Sequence, residues 1–72
     1  MNRTAAEADM VQGYIDGFDL DAPEPSANRS RSYRHGFANG RDDKRKQPRA
    51  PAEVIRVAAE DCLVADTEAG WI

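Results

Sequence analysis

Glycine, an aromatic ring, two further residues and a second glycine occur at Gly13-Tyr14-Ile15-Asp16-Gly17 and return 23 residues later at Gly36-Phe37-Ala38-Asn39-Gly40. Inside a helix each glycine costs about 1 kcal/mol relative to alanine, so a compensating contact is required. Shifting the chain by 23 residues also lays Met10 on Tyr33, and Met10, Gly13, Tyr14 and Gly17 then match Tyr33, Gly36, Phe37 and Gly40. All four positions fall on one face of a helix, so what repeats is a helix face. Glycines four apart leave a flat groove that admits a second helix, and flanking aromatic rings supply the burial that drives the approach in water. The pattern predicts two helices that meet at these faces as an antiparallel hairpin, with Gly13, Tyr14, Gly17, Gly36, Phe37 and Gly40 as packing residues. For Gly17 and Gly40 a second role is open, that of left-handed caps at helix ends. Capping leaves Gly13 and Gly36 unexplained.

Three helical segments separated by proline-bearing linkers follow from the rest of the chain, near residues 4–17, 28–40 and 51–65, with no sheet. In "TAAE", Thr4 is placed to cap the first helix, with Glu7 three residues on reaching back as in a capping box. Val11, Ile15 and Phe18 flank its glycine face. Pro23 and Pro25 break that helix, and Ser26 or Asn28 is positioned to cap the next. The run "RDDKRKQPRAP" reads as a charged linker ending at Pro51, which suits the first turn of a third helix with Glu53 at the positive end of its dipole. On that helix Val54, Ala58, Cys62 and Ala65 form one row and Ile55, Ala59 and Leu63 the next, an aliphatic face in which Cys62 serves as a small apolar residue. The expected architecture is a small all-α domain: a helical hairpin over residues 1–46, and a C-terminal helix and tail over residues 47–72.

At 72 residues the core is small, and a partner, including a second copy of the chain, is expected to add stability. One cysteine and one histidine cannot build a metal cluster or an internal disulfide, and neither metal nor cofactor is expected. His35 has no nucleophile or carboxylate beside it in the sequence, so a non-enzymatic protein is expected. No apolar run approaches the roughly 20 residues of a membrane span, and the start lacks the apolar core of a secretory signal, which points to a cytoplasmic protein.

Charge is divided into blocks. Residues 1–25 carry Glu7, Asp9, Asp16, Asp19, Asp21 and Glu24 against Arg3 alone. Residues 26–49 carry Arg29, Arg31, Arg34, Arg41, Lys44, Arg45, Lys46 and Arg49 against Asp42 and Asp43. Residues 50–72 are again acidic, with Arg56 the only cation. Such blocks either attract one another within the fold or leave a basic strip for an acidic partner such as RNA.

"GYIDG" followed after a linker by "SYRHGFANGRDD" resembles the ribosome modulation factor family of small bacterial proteins and its plasmid- and phage-borne relatives, over residues 10–43. The resemblance implies a helix–linker–helix fold, no enzymatic activity, and association with the ribosome near the messenger-RNA exit region in stationary phase. By position it assigns the glycine–aromatic residues to the hairpin and Arg29, Arg31, Arg34 and Arg41 to RNA contact. The acidic ends and the segment after Ala50 have no counterpart in that family's pattern.

Two classes of function fit these residues. The first is an RNA-associated regulator, with the four arginines together with Lys44, Arg45 and Lys46 on phosphates and Tyr33 or His35 stacking on a base. The second is a phage-type inhibitor of a host defence complex, in the manner of an anti-CRISPR protein, with Trp71 and Ile72 as an apolar anchor.

Overall fold

The computed structural model describes residues 1–68. Three helices carry the fold: α1 (Arg3–Gly17), α2 (Arg31–Arg45) and α3 (Ala52–Glu68). The described residues are all-α, as their apolar spacing predicts, and none of these helices is long and apolar enough to cross a membrane.

α1 and α2 meet at the two glycine faces, but they run parallel. Gly13 lies against Tyr33 and Phe37, and Gly17, one turn on, lies against Phe37 and Arg41; in return Gly36 faces Met10 and Tyr14, and Gly40 faces Tyr14. Contacts advance in the same direction on both helices, which an antiparallel hairpin cannot do. The reciprocal pattern makes the pair a pseudo-twofold unit within one chain, each helix offering its partner the same face. Parallel pairing needs a connection as long as the helix, and residues 18–30 suffice: at up to about 3.3 Å per residue they outreach a 15-residue helix of about 22 Å.

Only glycine fits at the crossing. A Cβ added at Gly13, Gly17, Gly36 or Gly40 would overlap the carbonyl oxygen of Tyr33, Phe37, Met10 or Tyr14 respectively. The glycine Cα–H occupies that direction instead, a weak donor aimed at a carbonyl. None of the four is in the left-handed region. Gly17 closes α1 ahead of a right-handed Phe18, and Gly40 lies inside α2, so both act at the crossing and neither is a left-handed cap. Beside it Phe37 and Tyr33 are 2% and 5% exposed, their rings 6.3 Å apart, and with Ala6 and Leu63 they make up the buried apolar core.

α3 starts as expected, just after Pro51 with Glu53 in its first turn, but the caps of α1 and the ends of α2 differ from the sequence expectation. Asn2 rather than Thr4 caps α1, its side-chain oxygen accepting from the Ala5 amide at 2.8 Å. Ser30 rather than Ser26 or Asn28 caps α2, accepting from the Tyr33 amide at 3.0 Å while its hydroxyl donates to Asp9 at 2.8 Å. α2 also continues through the charged run to Arg45 and stops at Lys46, whose backbone is left-handed (φ 57°). Lys44 and Arg45 in its last turn complement the negative end of the dipole.

α3 lies antiparallel to α2, and one side chain secures that docking. The Asp66 carboxylate, 2% exposed, accepts from the Ser32 amide at 2.7 Å and the Arg31 amide at 3.2 Å, so the C-terminal end of α3 caps the N-terminus of α2. Burial opposes the charge, but the Ser32 and Arg31 groups around the carboxyl outweigh it and hold it below the usual carboxylate range. Arg3 links α1 to α3 through two bonds to Glu60, at 2.7 and 2.8 Å. The inner row of α3 is Ile55, Ala58, Ala59, Cys62, Leu63, Ala65 and Asp66, whereas Val54, expected in the packed row, is 54% exposed.

Candidate nucleic-acid interface

The basic block maps onto the end of the 18–30 connection, α2 and the loop that follows it, and the fold sorts its cations into two groups. Two of those expected at an interface serve the fold. Arg41 is 9% exposed; its guanidinium donates to the carbonyls of Gly17, Asp19 and Ala22 at 3.3, 2.9 and 2.9 Å and stacks over Phe37 at 4.6 Å. It therefore caps the C-terminal end of α1 and ties the 18–30 connection to α2, a task that leaves no face for RNA. Arg29 stacks over the Tyr33 ring at 3.5 Å. Tyr33 is itself buried, and its hydroxyl donates to Asp16 at 2.5 Å, so it has no open face for a base. Tyr14 makes the matching bond in the other direction, to Asp43.

The remaining cations lie together. Arg31 and Arg34 are one turn apart on the flank of α2 opposite the glycines, Ala38 occupies the next turn and Arg45 follows in the last, with Lys44 and Lys46 exposed beside it. Arg49, from the loop before α3, faces this flank with its guanidinium on Asp42, at 2.6 Å. Arg31, Arg34, His35, Ala38, Arg49 and Cys62 line a shallow concavity of about 480 Å³. Beside it, Arg34 Nε and His35 Nε2 are buried atoms that form no hydrogen bond among the described residues. Burial, and then the positive charge of Arg49, push the His35 imidazole below its usual pKa, so the ring is neutral near pH 7. Burial with Asp66 alongside raises the Cys62 thiol, keeping it protonated and unreactive.

Among the described residues no lysine or arginine of residues 26–49 forms a salt bridge with the acidic flanks; the one ion pair of the block, Arg49–Asp42, is internal to it. Four of the flanking carboxylates are engaged otherwise. Asp9 takes a serine hydroxyl, Asp16 a tyrosine, Asp66 two backbone amides, and Glu60 takes Arg3.

Arg49 and Ala38 were not among the expected site residues. Arg49 sits in a linker between prolines, and the chain reversal after the left-handed Lys46 brings it back onto Asp42 of α2. A separate surface lies on α1, where Val11 and Ile15 are 60% and 57% exposed, with Phe18 and Leu20 beyond them. The expected anchor residues Trp71 and Ile72 lie outside the described residues. No family model, curated protein or solved structure matched the chain in comparison.

Proposed function

We propose that this protein is a non-enzymatic RNA-binding regulator that associates with the ribosome, as its resemblance to the ribosome modulation factor family implies, and that it holds RNA along the outer flank of α2. One observation carries this: among the described residues Arg31, Arg34, Lys44, Arg45 and Lys46 form no salt bridge. Arg31, Arg34 and Arg45 are the contact residues, with Lys44 and Lys46 extending the track. The acidic α1 and α3 surfaces orient the approach, since a dipolar charge distribution steers one face toward a polyanion. Binding to purified ribosomes and to single-stranded RNA, measured at two salt concentrations, tests the assignment. Changing Arg31, Arg34 and Arg45 together to glutamine is expected to weaken binding and to flatten the log–log salt plot by about 0.7 per lost phosphate contact. Absence of ribosome and RNA binding at low salt would overturn it.

A second function, inhibition of a protein complex of the anti-defence kind, is favoured by the exposed Val11–Ile15–Phe18 stripe, an apolar surface of the sort that marks protein contacts. If it holds, Ile15→Asp abolishes partner binding while the arginine changes only slow association.

A further inference from the structure

Along the outer flank of α2 the positions 31, 34 and 38 follow one line, and the third carries no side chain beyond Cβ. A hollow is left where a larger residue would fill space, with guanidinium groups on two sides and α3 behind it. We propose that this hollow, walled by Arg31, Arg34, His35 and Arg49, is a discrete binding site for a phosphate group. It deepens the RNA-binding function and rests on it, by naming the group through which RNA is held.

Three observations support the assignment. First, the lining itself carries three guanidinium groups and no carboxylate, with the carboxylates of the surroundings set behind it. On the α2 side stand Arg31, Arg34, His35 and Asp42, on the loop Arg49, and on the α3 side Asp61, Cys62 and Asp66. Of the three carboxylates, Asp66 is committed to the backbone amides of α2 and Asp42 to Arg49. Cys62 carries no charge at neutral pH. Second, Arg49 is pre-oriented: two of its donors rest on Asp42 at 2.6 and 3.4 Å, which fixes the plane of the guanidinium. With Nε and Nη2 on Asp42, the Nη1 side of the guanidinium, which makes no hydrogen bond among the described residues, is the part that meets a phosphate oxygen. Third, Arg34 Nε and His35 Nε2 are buried and form no hydrogen bond among the described residues. Unmet buried hydrogen-bonding groups are costly, and a phosphate reached by a small side-chain shift would satisfy them. The neutral ring of His35 is explained by burial and by Arg49, and an anion in the hollow reverses the electrostatic part of that balance.

His35 is the chain's single histidine, so its ring signals in an NMR titration report on this site alone. The full chain is titrated with inorganic phosphate against sodium chloride at matched ionic strength, and the pH midpoint of His35 is followed. The expected result is a saturable response to phosphate, with the midpoint rising by about one pH unit. Arg34→Gln and Arg49→Gln each weaken phosphate binding by about tenfold or more, and Arg56→Gln, at an exposed cation of α3 away from the hollow, does not. Ala38→Glu, which keeps a good helix former while filling the hollow with a carboxylate, abolishes the phosphate response. A short RNA that moves the same His35 signals and competes with phosphate assigns the bound group to RNA. A phosphate response without any RNA binding leaves a site for free phosphate and removes the RNA function. RNA binding with His35 unmoved by either phosphate or RNA overturns the site and leaves the RNA function standing.

Discussion

Gly36 is the residue at which local preference and tertiary demand are most opposed. Alanine there would favour the helix by about 1 kcal/mol, yet its Cβ would overlap the Met10 carbonyl oxygen and lie 2.9 Å from the carbonyl carbon, both backbone atoms that cannot rotate away. Gly36→Ala is therefore expected to destabilise the protein by about 1–3 kcal/mol, the range of overpacking, and Gly13→Ala by a similar amount. Thermal unfolding checks this: a domain of this size loses about 4–8 °C per kcal/mol, and a rise in Tm would place these glycines outside the contact. Arg41 is the second residue whose type alone misleads. It belongs to the basic block, but its guanidinium is spent on three carbonyls, so Arg41→Gln is expected to lower stability by about 1–3 kcal/mol while leaving the salt dependence of RNA binding unchanged. Arg45→Gln is expected to do the reverse, and the two measured side by side separate an internal arginine from a contact arginine.

At the scale of elements, α2 is organised by its neighbours. Its N-terminus holds Ser30 on the Tyr33 amide and Asp66 on the Arg31 and Ser32 amides, which satisfies three of the donors that a helix start leaves open. Asp66 comes from the far end of α3, 35 residues from Arg31, so capping of one helix and docking of another are a single event. Asp66→Ala is expected to cost about 1–3 kcal/mol and to accelerate hydrogen exchange of the Arg31 and Ser32 amides beyond the global change. Equal acceleration throughout α2 and α3 would show that the carboxylate acts on overall stability alone. Ser30 could be found from sequence as a cap candidate, since a serine before a periodic segment is a start signal; Asp66 could not, because nothing in the local pattern of α3 distinguishes it from Asp61 or Glu60.

For the whole molecule, hydrogen bonds to carboxylates and tyrosines set the pH range of stability. Asp66 and Asp16 titrate below the usual carboxylate range, Asp66 because the Ser32 and Arg31 groups outweigh its burial, Asp16 through Tyr33 and then Gln12. Their folded-state values lie below the unfolded value of about 3.9, so their contribution is present above that pH and lost as pH falls through the folded values. Tyr33 is raised by burial and by Asp16, and Tyr14 by its bond to Asp43, so their contribution is full below about pH 10 and lost as pH rises through the folded values. His35, held low by burial and Arg49, adds a gentler loss that begins as pH falls through about 6.5, because the unfolded chain takes up the proton first. Urea midpoints measured across pH are expected to show a plateau between neutrality and about pH 9, a shallow decline below pH 6.5 that His35→Gln removes, and a steep acid limb that Asp66→Asn shifts. A shallow limb unaltered by His35→Gln would detach it from this ring.

Helix content, the three segments and the glycine–aromatic contact face were determined by the sequence itself, because four glycines at fixed helical spacing have few uses other than close helix contact, and apolar periodicity is local information. The same applies to the division of charge into three blocks. Parallel orientation was decided only by the tertiary structure: a repeated face is compatible with either direction, and the choice depends on whether residues 18–30 span the helix length and on where Arg41 anchors them. The composition of the candidate site was decided at the same level. Proximity across the fold turned Tyr33 and Arg41 inward, laid Arg29 over the Tyr33 ring, and brought Arg49 and Cys62 beside Arg31, Arg34 and His35, and a residue's charge does not reveal which backbone carbonyls or carboxylates the folded chain will place within its reach.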